Sequence, residues 1–230
     1  MRREHSLEPA IHYTMSVIGG FITTYGLLMR SDFFGAAQTS NLIYLVKDFL
    51  GHNPGDIIIR LGALALYILA IGLTVYLPHR FSVNLKAISI WIDIAAVFFM
   101  GFLPAQMDPV LGLYPMFFAM AFQWCSFRGY GDYTSSSTFS TNNIRQCVSA
   151  IVNYRMKRDR AQRKKAGFYG LTLCSFYIGV LLSFLLCPGL GVRGIWLAWI
   201  PLAGALVLTY VEQHSNLPLH RFHPALVEKK

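Results

Sequence analysis

The stretch Ser31–Leu50, SDFFGAAQTSNLIYLVKDFL, places a cluster of small and polar residues directly before an apolar run. The run is Leu42–Val46, and the cluster consists of Gly35, Gln38, Thr39, Ser40 and Asn41. The stretch lies between two long hydrophobic segments, which predicts that it sits at membrane depth. The cluster is too polar to face lipid, because polar groups in hydrocarbon need partners within the protein. We therefore expect it to be enclosed by protein or to line a cavity.

The same arrangement occurs a second time, in Tyr130–Tyr154, YGDYTSSSTFSTNNIRQCVSAIVNY. Within the two stretches, Thr39–Leu42 (TSNL) matches Thr141–Ile144 (TNNI). Each stretch follows a long apolar segment that ends in an arginine, Arg30 in one case and Arg128 in the other. This pattern predicts an internal duplication with one polar helix start in each half.

The composition is that of an integral membrane protein. The chain has 230 residues, of which 54% are hydrophobic and 13% are charged, whereas soluble domains carry roughly 25% charged residues. The formal net charge of +9 is typical of cytoplasmic loops in a membrane protein. Nucleic acid is not expected as a partner, since no base-stacking or groove-reading motif is present. The length favours a single domain, 1–230.

Six segments are apolar and long enough to cross a bilayer, which takes about 20 residues. They are Ala10–Met29, Ile57–Leu77, Ala87–Leu103, Pro109–Phe127, Gly167–Leu186 and Ile195–Val211.

Basic residues in the loops predict the orientation of these spans. Residues 128–165 hold nine basic and two acidic residues, whereas residues 30–56 hold two basic and three acidic ones. Six spans with both termini in the cytoplasm put every basic loop inside, including a tail at 213–230. The alternative is that each polar stretch crosses the membrane, which gives eight spans. Arg80 and Lys86 would then lie outside, against the charge rule.

Three spans per half is an odd number, so the two halves would insert with opposite orientation. The expected fold is therefore an all-α, polytopic transmembrane bundle of about six spans, arranged as two inverted repeats at 10–105 and 109–212. Each repeat would carry a re-entrant or broken polar helix, as secondary transporters with inverted repeats do. Ile71-Gly72 in the second span also matches Ile178-Gly179 in the fifth.

Four short motifs resemble those of the YoaK-like family, uncharacterised bacterial membrane proteins of a domain of unknown function. That family shows Gly-aromatic-x-Asp and Thr-Gly-Asn in its first half, and Gly-x-Gln-Asn and a further Thr-Gly in its second. The corresponding segments here are Gly20–Thr23, Thr39–Asn41, Ala121–Trp124 and Thr141–Asn143.

The chain departs from the family pattern at several of these positions. Thr23 replaces the family's aspartate and Trp124 replaces its asparagine, while Ser40 and Asn142 replace the glycines. The resemblance covers roughly residues 10–212. It implies a similar fold and a bacterial inner-membrane location, and it implies no established biochemical function.

The two polar helix starts are the candidate binding site. Ser, Thr and Asn are favoured N-cap residues, and the free amides and positive dipole end of a helix start attract anions. Two such starts facing one cavity would hold a small polar or anionic solute at mid-membrane. The alternative is a purely structural role, in which these residues only cap their helices. The predicted binding residues are Thr23, Gln38, Thr39, Ser40, Asn41, Gln123, Thr141, Asn142 and Asn143.

Asp93 is the candidate for proton coupling, because an ionisable residue inside a span is a functional hypothesis by default. A structural contact between helices is the alternative. Cofactors and metals are not expected, since the four cysteines form no Cys-x-x-Cys pair and no histidine joins them at ligand spacing. An enzyme is not expected either, since no phosphate loop or catalytic triad spacing is present.

These observations favour a secondary transporter or channel-like permease for a small polar or anionic solute. The alternative is a non-transporting membrane scaffold, or a lipid-binding or regulatory protein. The expected partners are the lipid bilayer, the solute and, on general grounds only, a second copy of the chain.

Overall fold

The structure is a computed structural model that describes residues 6–30 and 38–215. It confirms the all-α prediction. The helices are α1 (Glu8–Met29), α2 (Gln38–Leu50), α3 (Pro54–Arg80), α4 (Leu85–Met100), α5 (Pro109–Gly112), α6 (Tyr114–Ser126), α7 (Thr141–Lys157), α8 (Arg160–Leu190), a 3-10 helix (Gly191–Ala198) and α9 (Trp199–Ser215). Gly35 and most of the predicted tail lie outside the described residues.

Each of the six apolar segments contains a helix, although two of them are interrupted. The predicted span Pro109–Phe127 is divided at Leu113 into α5 and α6. Asp108 caps the first piece, accepting hydrogen bonds from the amides of Val110 at 2.9 Å and Leu111 at 3.0 Å. Pro115 stands in the first turn of the second piece, where its missing N–H costs no helical hydrogen bond.

A small hairpin that the sequence did not predict joins α6 to α7. Its strands are β1 (Gly129–Tyr130) and β2 (Tyr133–Thr134), and they pair antiparallel. Gly131, with φ of 58°, lies in the turn, a conformation that glycine adopts without steric cost. The hairpin leads into a buried loop and not into solvent.

Helices α1 and α8 are in close backbone contact. A Cβ atom on Gly20 would overlap the Phe176 carbonyl oxygen, and one on Gly179 would overlap the Val17 carbonyl oxygen. The two backbones therefore touch, as small residues permit in membrane helices. Gly72, the sequence match of Gly179, has no atom within 4 Å of its Cβ position, so the two glycines have different roles.

Helix α1 packs on both α8 and α9, and α6 packs in the same way on α3 and α4. Helix α2 lies on α3, α7 lies on α8, and α4 touches α9. The main apolar core lies between α1, α4, α6 and α9 and includes Met15, Val97, Met120 and Leu202.

The ends of the helices collect at two poles. At the first pole, Lys86 at the start of α4 pairs with Glu8 at 2.8 Å, and the amide of Leu7 donates to Glu212 near the end of α9. At the second pole, Arg30 after α1 donates from Nη1 to the Pro104 carbonyl at 2.7 Å. Helices α1, α4 and α9 therefore each run from one pole to the other.

Helix α2 has polar residues on its inner side and apolar residues on its outer side. Asn41 and Asp48 are buried, whereas Ile43, Phe49 and Leu50 are 65–71% exposed. Water-soluble helices show the opposite pattern. Within the predicted polar cluster, Asn41 is therefore enclosed by protein and Gln38 and Ser40 are half-buried, whereas Thr39 is exposed.

Two helical stretches among the described residues are long and apolar enough to cross a membrane by length and composition: Pro54–Arg80, and the continuous stretch Arg160–Ser215. These stretches are consistent with the predicted membrane location.

Candidate functional site

A cavity of about 610 Å³ lies where the starts of α2 and α7 approach each other. Gln38 and Thr39 from α2 line one side, and Thr141 and Asn142 from α7 line the other. Four of the predicted binding residues therefore share one space. The volume falls within the range of about 300–1,000 Å³ that is usual for small-molecule sites.

The other walls of this cavity are mainly aromatic, and one cation stands beside it. Tyr67 from α3, Trp124 from α6 and Phe139 line the walls together with Leu42. The Trp124 and Phe139 rings meet edge to face, with their centroids 5.7 Å apart. Arg145 lines the cavity one turn into α7.

The first turn of α7 keeps its amides uncapped by a side chain. Ser140 occupies the N-cap position and makes no side-chain hydrogen bond to the helix. Instead, its hydroxyl lies 3.5 Å from the Tyr177 hydroxyl. The N–H groups of this turn and the partial positive charge of the helix start remain available to an anion.

Asn41 is turned away from the cavity and belongs to a closed polar cluster between α2 and α3. Its Nδ2 donates to Gln38 Oε1 at 2.9 Å and to the Arg60 carbonyl at 3.2 Å. The Arg60 guanidinium donates to the Asp48 carboxylate, and it lies over the Tyr44 ring, 5.0 Å from its centroid. Such a buried pair is sensitive to the loss of either partner.

A run of hydroxyl residues, Ser135–Thr138, is buried between α1, α6 and α7, and we call it the serine segment. A Cβ atom on Gly19 would overlap the Ser137 carbonyl oxygen, so this glycine admits the segment against α1. Gln123 Nε2 donates to the Met15 carbonyl at 3.0 Å and to the Ser137 hydroxyl at 2.9 Å. Gln123 thus ties α6 and α1 to the serine segment and does not line the cavity.

Asn143 holds the serine segment from the other side. Its Oδ1 accepts from the Ser135 hydroxyl at 2.9 Å, and its Nδ2 donates to the Ser136 carbonyl at 2.7 Å and the Phe139 carbonyl at 3.1 Å. Because Ser135 has only one hydroxyl proton and gives it to Asn143, His12 Nε2, at 3.0 Å from Ser135 Oγ, must be the donor in their contact.

The remaining predicted residues lie elsewhere. Thr23 is buried, and its hydroxyl has no partner among the described residues. Ser40 is half-buried next to Asn41 and is not part of the cavity wall. Asp93 is fully buried in α4, and neither carboxylate oxygen has a hydrogen-bond partner in the described chain.

Five cavity residues were not predicted from the sequence: Leu42, Tyr67, Trp124, Phe139 and Arg145. Arg145 was detectable, since it lies three residues after Asn142 and therefore on the same side of a helix. The three aromatic residues come from separate segments and look like ordinary lipid-facing or packing residues in the sequence.

The described residues form a mostly helical protein with two apolar helical stretches of membrane length and a cavity between the starts of α2 and α7. The chain belongs to the family described as "Protein of unknown function (DUF1275)", whose sequence profile matches residues 11–209. This match confirms the resemblance found from the motifs. No curated protein and no solved structure gives a significant match.

Proposed function

We propose that this protein is a six-span membrane permease, built from two inverted halves, that moves a small polar or anionic solute. The outward apolar surface of α2 supports the membrane setting, because its polar face is buried against α3. A helix with that arrangement is stable where its surroundings are hydrocarbon.

The helix contacts support the duplication. In the proposed duplication, α1, α2, α3 and α4 of the first half correspond to α6, α7, α8 and α9 of the second, in that order. Under this correspondence, the contact of α1 with α8 matches the contact of α6 with α3. Likewise, α1 with α9 becomes α6 with α4, and α2 with α3 becomes α7 with α8. Two halves that share a fold and are related by a two-fold axis make such matching contacts.

The lengths of α2 and α7 favour re-entrant helices over crossing ones. Their 13 and 17 residues correspond to about 20 and 25 Å, short of the roughly 30 Å hydrocarbon core. The start of α2 shares the cavity with Tyr67, which lies at the midpoint of α3. The serine segment that precedes α7 touches Gly19, near the midpoint of α1.

The single observation that carries the permease proposal is the shared cavity. Two helix starts from different halves reach one space of about 610 Å³ at this depth. A solute held there could be released to either side when one half moves against the other, as in transporters with inverted repeats. We assign solute binding to Gln38, Thr39, Thr141, Asn142 and Arg145.

We further propose that the protein lies in the bacterial inner membrane with both termini in the cytoplasm, following the loop charges. Asp93 would couple transport to protons, because an ionised carboxylate without partners in the interior is costly and protonation removes that cost.

A non-transporting scaffold or lipid-binding role is the second candidate. It is favoured by the two separate polar networks, since Asn41 and Asn143 each spend their amide hydrogen bonds within their own half. For a scaffold, the cavity would have no solute to bind.

A thermal-shift screen of the purified protein in detergent against inorganic and organic anions tests the permease proposal. We expect stabilisation by a ligand that is lost in both Thr39→Ala and Asn142→Ala, because these residues face the cavity from different halves. Asn153→Ala, at an exposed site on α7, is the control and should retain the effect. Stabilisation that persists in both cavity variants would contradict the shared site.

A further inference from the structure

The residues that line the cavity between α2 and α7 also indicate the chemical class of its ligand. From its lining we infer that the preferred ligand is an organic monocarboxylate with a flat apolar body, such as an aromatic carboxylate. This inference rests on the proposed function, because it concerns the same site.

The charge of the lining selects an anion. Nine residues line the cavity, none of them is acidic, and Arg145 is the one that carries a formal charge. Arg145 has no carboxylate within salt-bridge distance among the described residues. Its guanidinium instead donates to Asn142 Oδ1 at 3.0 Å, which holds it beside the start of α7. A carboxylate suits the planar guanidinium, since the two can form a bidentate pair.

On the opposite side of the cavity, the side-chain amide of Gln38 has a hydrogen-bond donor that is unused among the described residues. Gln38 Oε1 accepts from Asn41, which fixes the amide, while Gln38 Nε2 is buried and makes no hydrogen bond in the described chain. Gln38 lines the cavity. A ligand oxygen would satisfy this donor, which otherwise keeps its full desolvation cost.

The aromatic walls select against a bare inorganic ion. Tyr67, Trp124 and Phe139 supply three rings, and the edge-to-face arrangement of Trp124 and Phe139 leaves the cavity apolar on that side. A single water takes about 30 Å³ of liquid volume, so a cavity of about 610 Å³ is far larger than a halide or phosphate needs. A flat ring would gain stacking contacts with the aromatic walls that a bare inorganic ion cannot make.

Binding of three probes to the purified full-length protein tests the inference. The probes are benzoate, benzyl alcohol, which has the ring without the charge, and acetate, which has the charge without the ring. By isothermal calorimetry or thermal shift we expect benzoate to bind at least about tenfold more tightly than either, because each of the others lacks one of the two interactions.

Variants then locate the binding. Arg145→Gln should weaken benzoate about tenfold or more, and Arg145→Lys should recover part of that loss because it keeps the charge. Trp124→Leu should reduce the preference for benzoate over acetate. Arg155→Gln makes the same charge change at an exposed site on the same helix and should leave the binding of benzoate unchanged.

The outcomes separate this inference from the proposed function. If acetate or inorganic phosphate binds as tightly as benzoate, and Arg145→Gln weakens both, the ligand class is wrong and the anion site stands. If benzoate binds equally well to Arg145→Gln and Arg155→Gln, the assignment to this cavity is overturned. If no anion binds the protein, the ligand class is wrong, and the proposed function then stands only for an uncharged polar solute.

Discussion

Two asparagines that match in the sequence, Asn41 and Asn143, are only 1% exposed and use their amides inside the protein. Asn41 joins α2 to α3, and Asn143 closes the serine segment onto α7. Asn143 satisfies carbonyl groups of the non-helical backbone at Ser136 and Phe139, whereas Asn41 donates to a carbonyl within helix α3. Their neighbours Thr39 and Asn142 face the cavity instead.

The buried ion pair gives a test at the residue scale. Asp48→Ala removes a buried carboxylate to which the Arg60 guanidinium donates, so we expect a loss of up to about 5 kcal/mol in the free energy of unfolding. Lys86→Ala breaks the exposed pair with Glu8 and should cost about 0–1 kcal/mol. Chemical denaturation in detergent measures both.

A double variant sharpens this test. Asp48→Leu combined with Arg60→Met removes both charges at once, and its destabilisation should be smaller than that of Asp48→Ala, because both members of the ion pair are replaced by apolar side chains. A double variant as unstable as the single one would contradict the assignment of the cost to the loss of one member of the pair.

Asp93 gives a second test at this scale. Asp93→Asn keeps the shape of the side chain and removes its ability to bind a proton. If Asp93 couples transport to protons, uptake of the solute into proteoliposomes should lose its dependence on pH in this variant. Asp132→Asn, at an exposed site in the hairpin turn, should keep the pH profile of the natural protein. An unchanged profile in Asp93→Asn would falsify proton coupling through this residue.

At the scale of the elements, the contact between α1 and α8 depends on missing side chains. Gly20 and Gly179 each lie against a carbonyl oxygen of the opposite helix. A close approach of this kind gains dispersion contacts along both backbones. This contact also fixes α1 against α8, on which α7 packs. It thereby positions the start of α7 at the cavity.

Substitution of these glycines is the test at the element scale. Gly179→Ala should destabilise the protein by about 1–3 kcal/mol, because the new methyl group forces the helices apart. Gly72→Ala, at the matched position in α3, has open space and should be neutral or stabilising by up to about 1 kcal/mol. Thermal unfolding of the two purified variants, side by side with the natural protein, gives the comparison. Equal effects would contradict the close contact.

The sequence predicted the helices well and their interruptions poorly. Hydrophobic length was enough to place a helix in each of the six segments. Hydrophobic length does not locate the break at Leu113, which depends on Asp108 capping a short α5 ahead of Pro115. The hairpin at 129–134 was missed for a similar reason, since two-residue strands leave no periodic pattern.

At the scale of the whole molecule, the arrangement of the helices leads to a membrane topology that can be measured. The six-span and eight-span topologies place three loops of the first half on opposite sides of the membrane. In the six-span topology, the loops at 51–53 and 101–108 lie outside and the loop at 81–84 lies inside. The eight-span alternative reverses all three.

Single-cysteine labelling distinguishes the two topologies. The background would lack the four free cysteines, Cys125, Cys147, Cys174 and Cys187. We expect a membrane-impermeant maleimide, added to the periplasmic side of cells, to label His52→Cys and Gln106→Cys and to leave Ser82→Cys unlabelled. The opposite labelling of all three sites would establish eight spans and remove the re-entrant helices.

A fourth variant serves as the control for membrane integrity. Arg158→Cys lies between α7 and α8 and is inside in both topologies, so it should react only after the cells are made permeable. Labelling of this site in intact cells would show that the reagent had crossed the membrane.

The sequence by itself determined the helical class, the approximate bounds of the apolar segments and the polar starts of α2 and α7, because hydrophobic length and capping residues are local properties. Only the tertiary structure decided which side chains line the cavity. Asn41 and Asn143 lie inside, where their side chains bind backbone carbonyls of their own half, whereas Tyr67, Trp124 and Phe139 come together from separate segments. Proximity of that kind is a consequence of packing between helices and leaves no periodic signal in the chain.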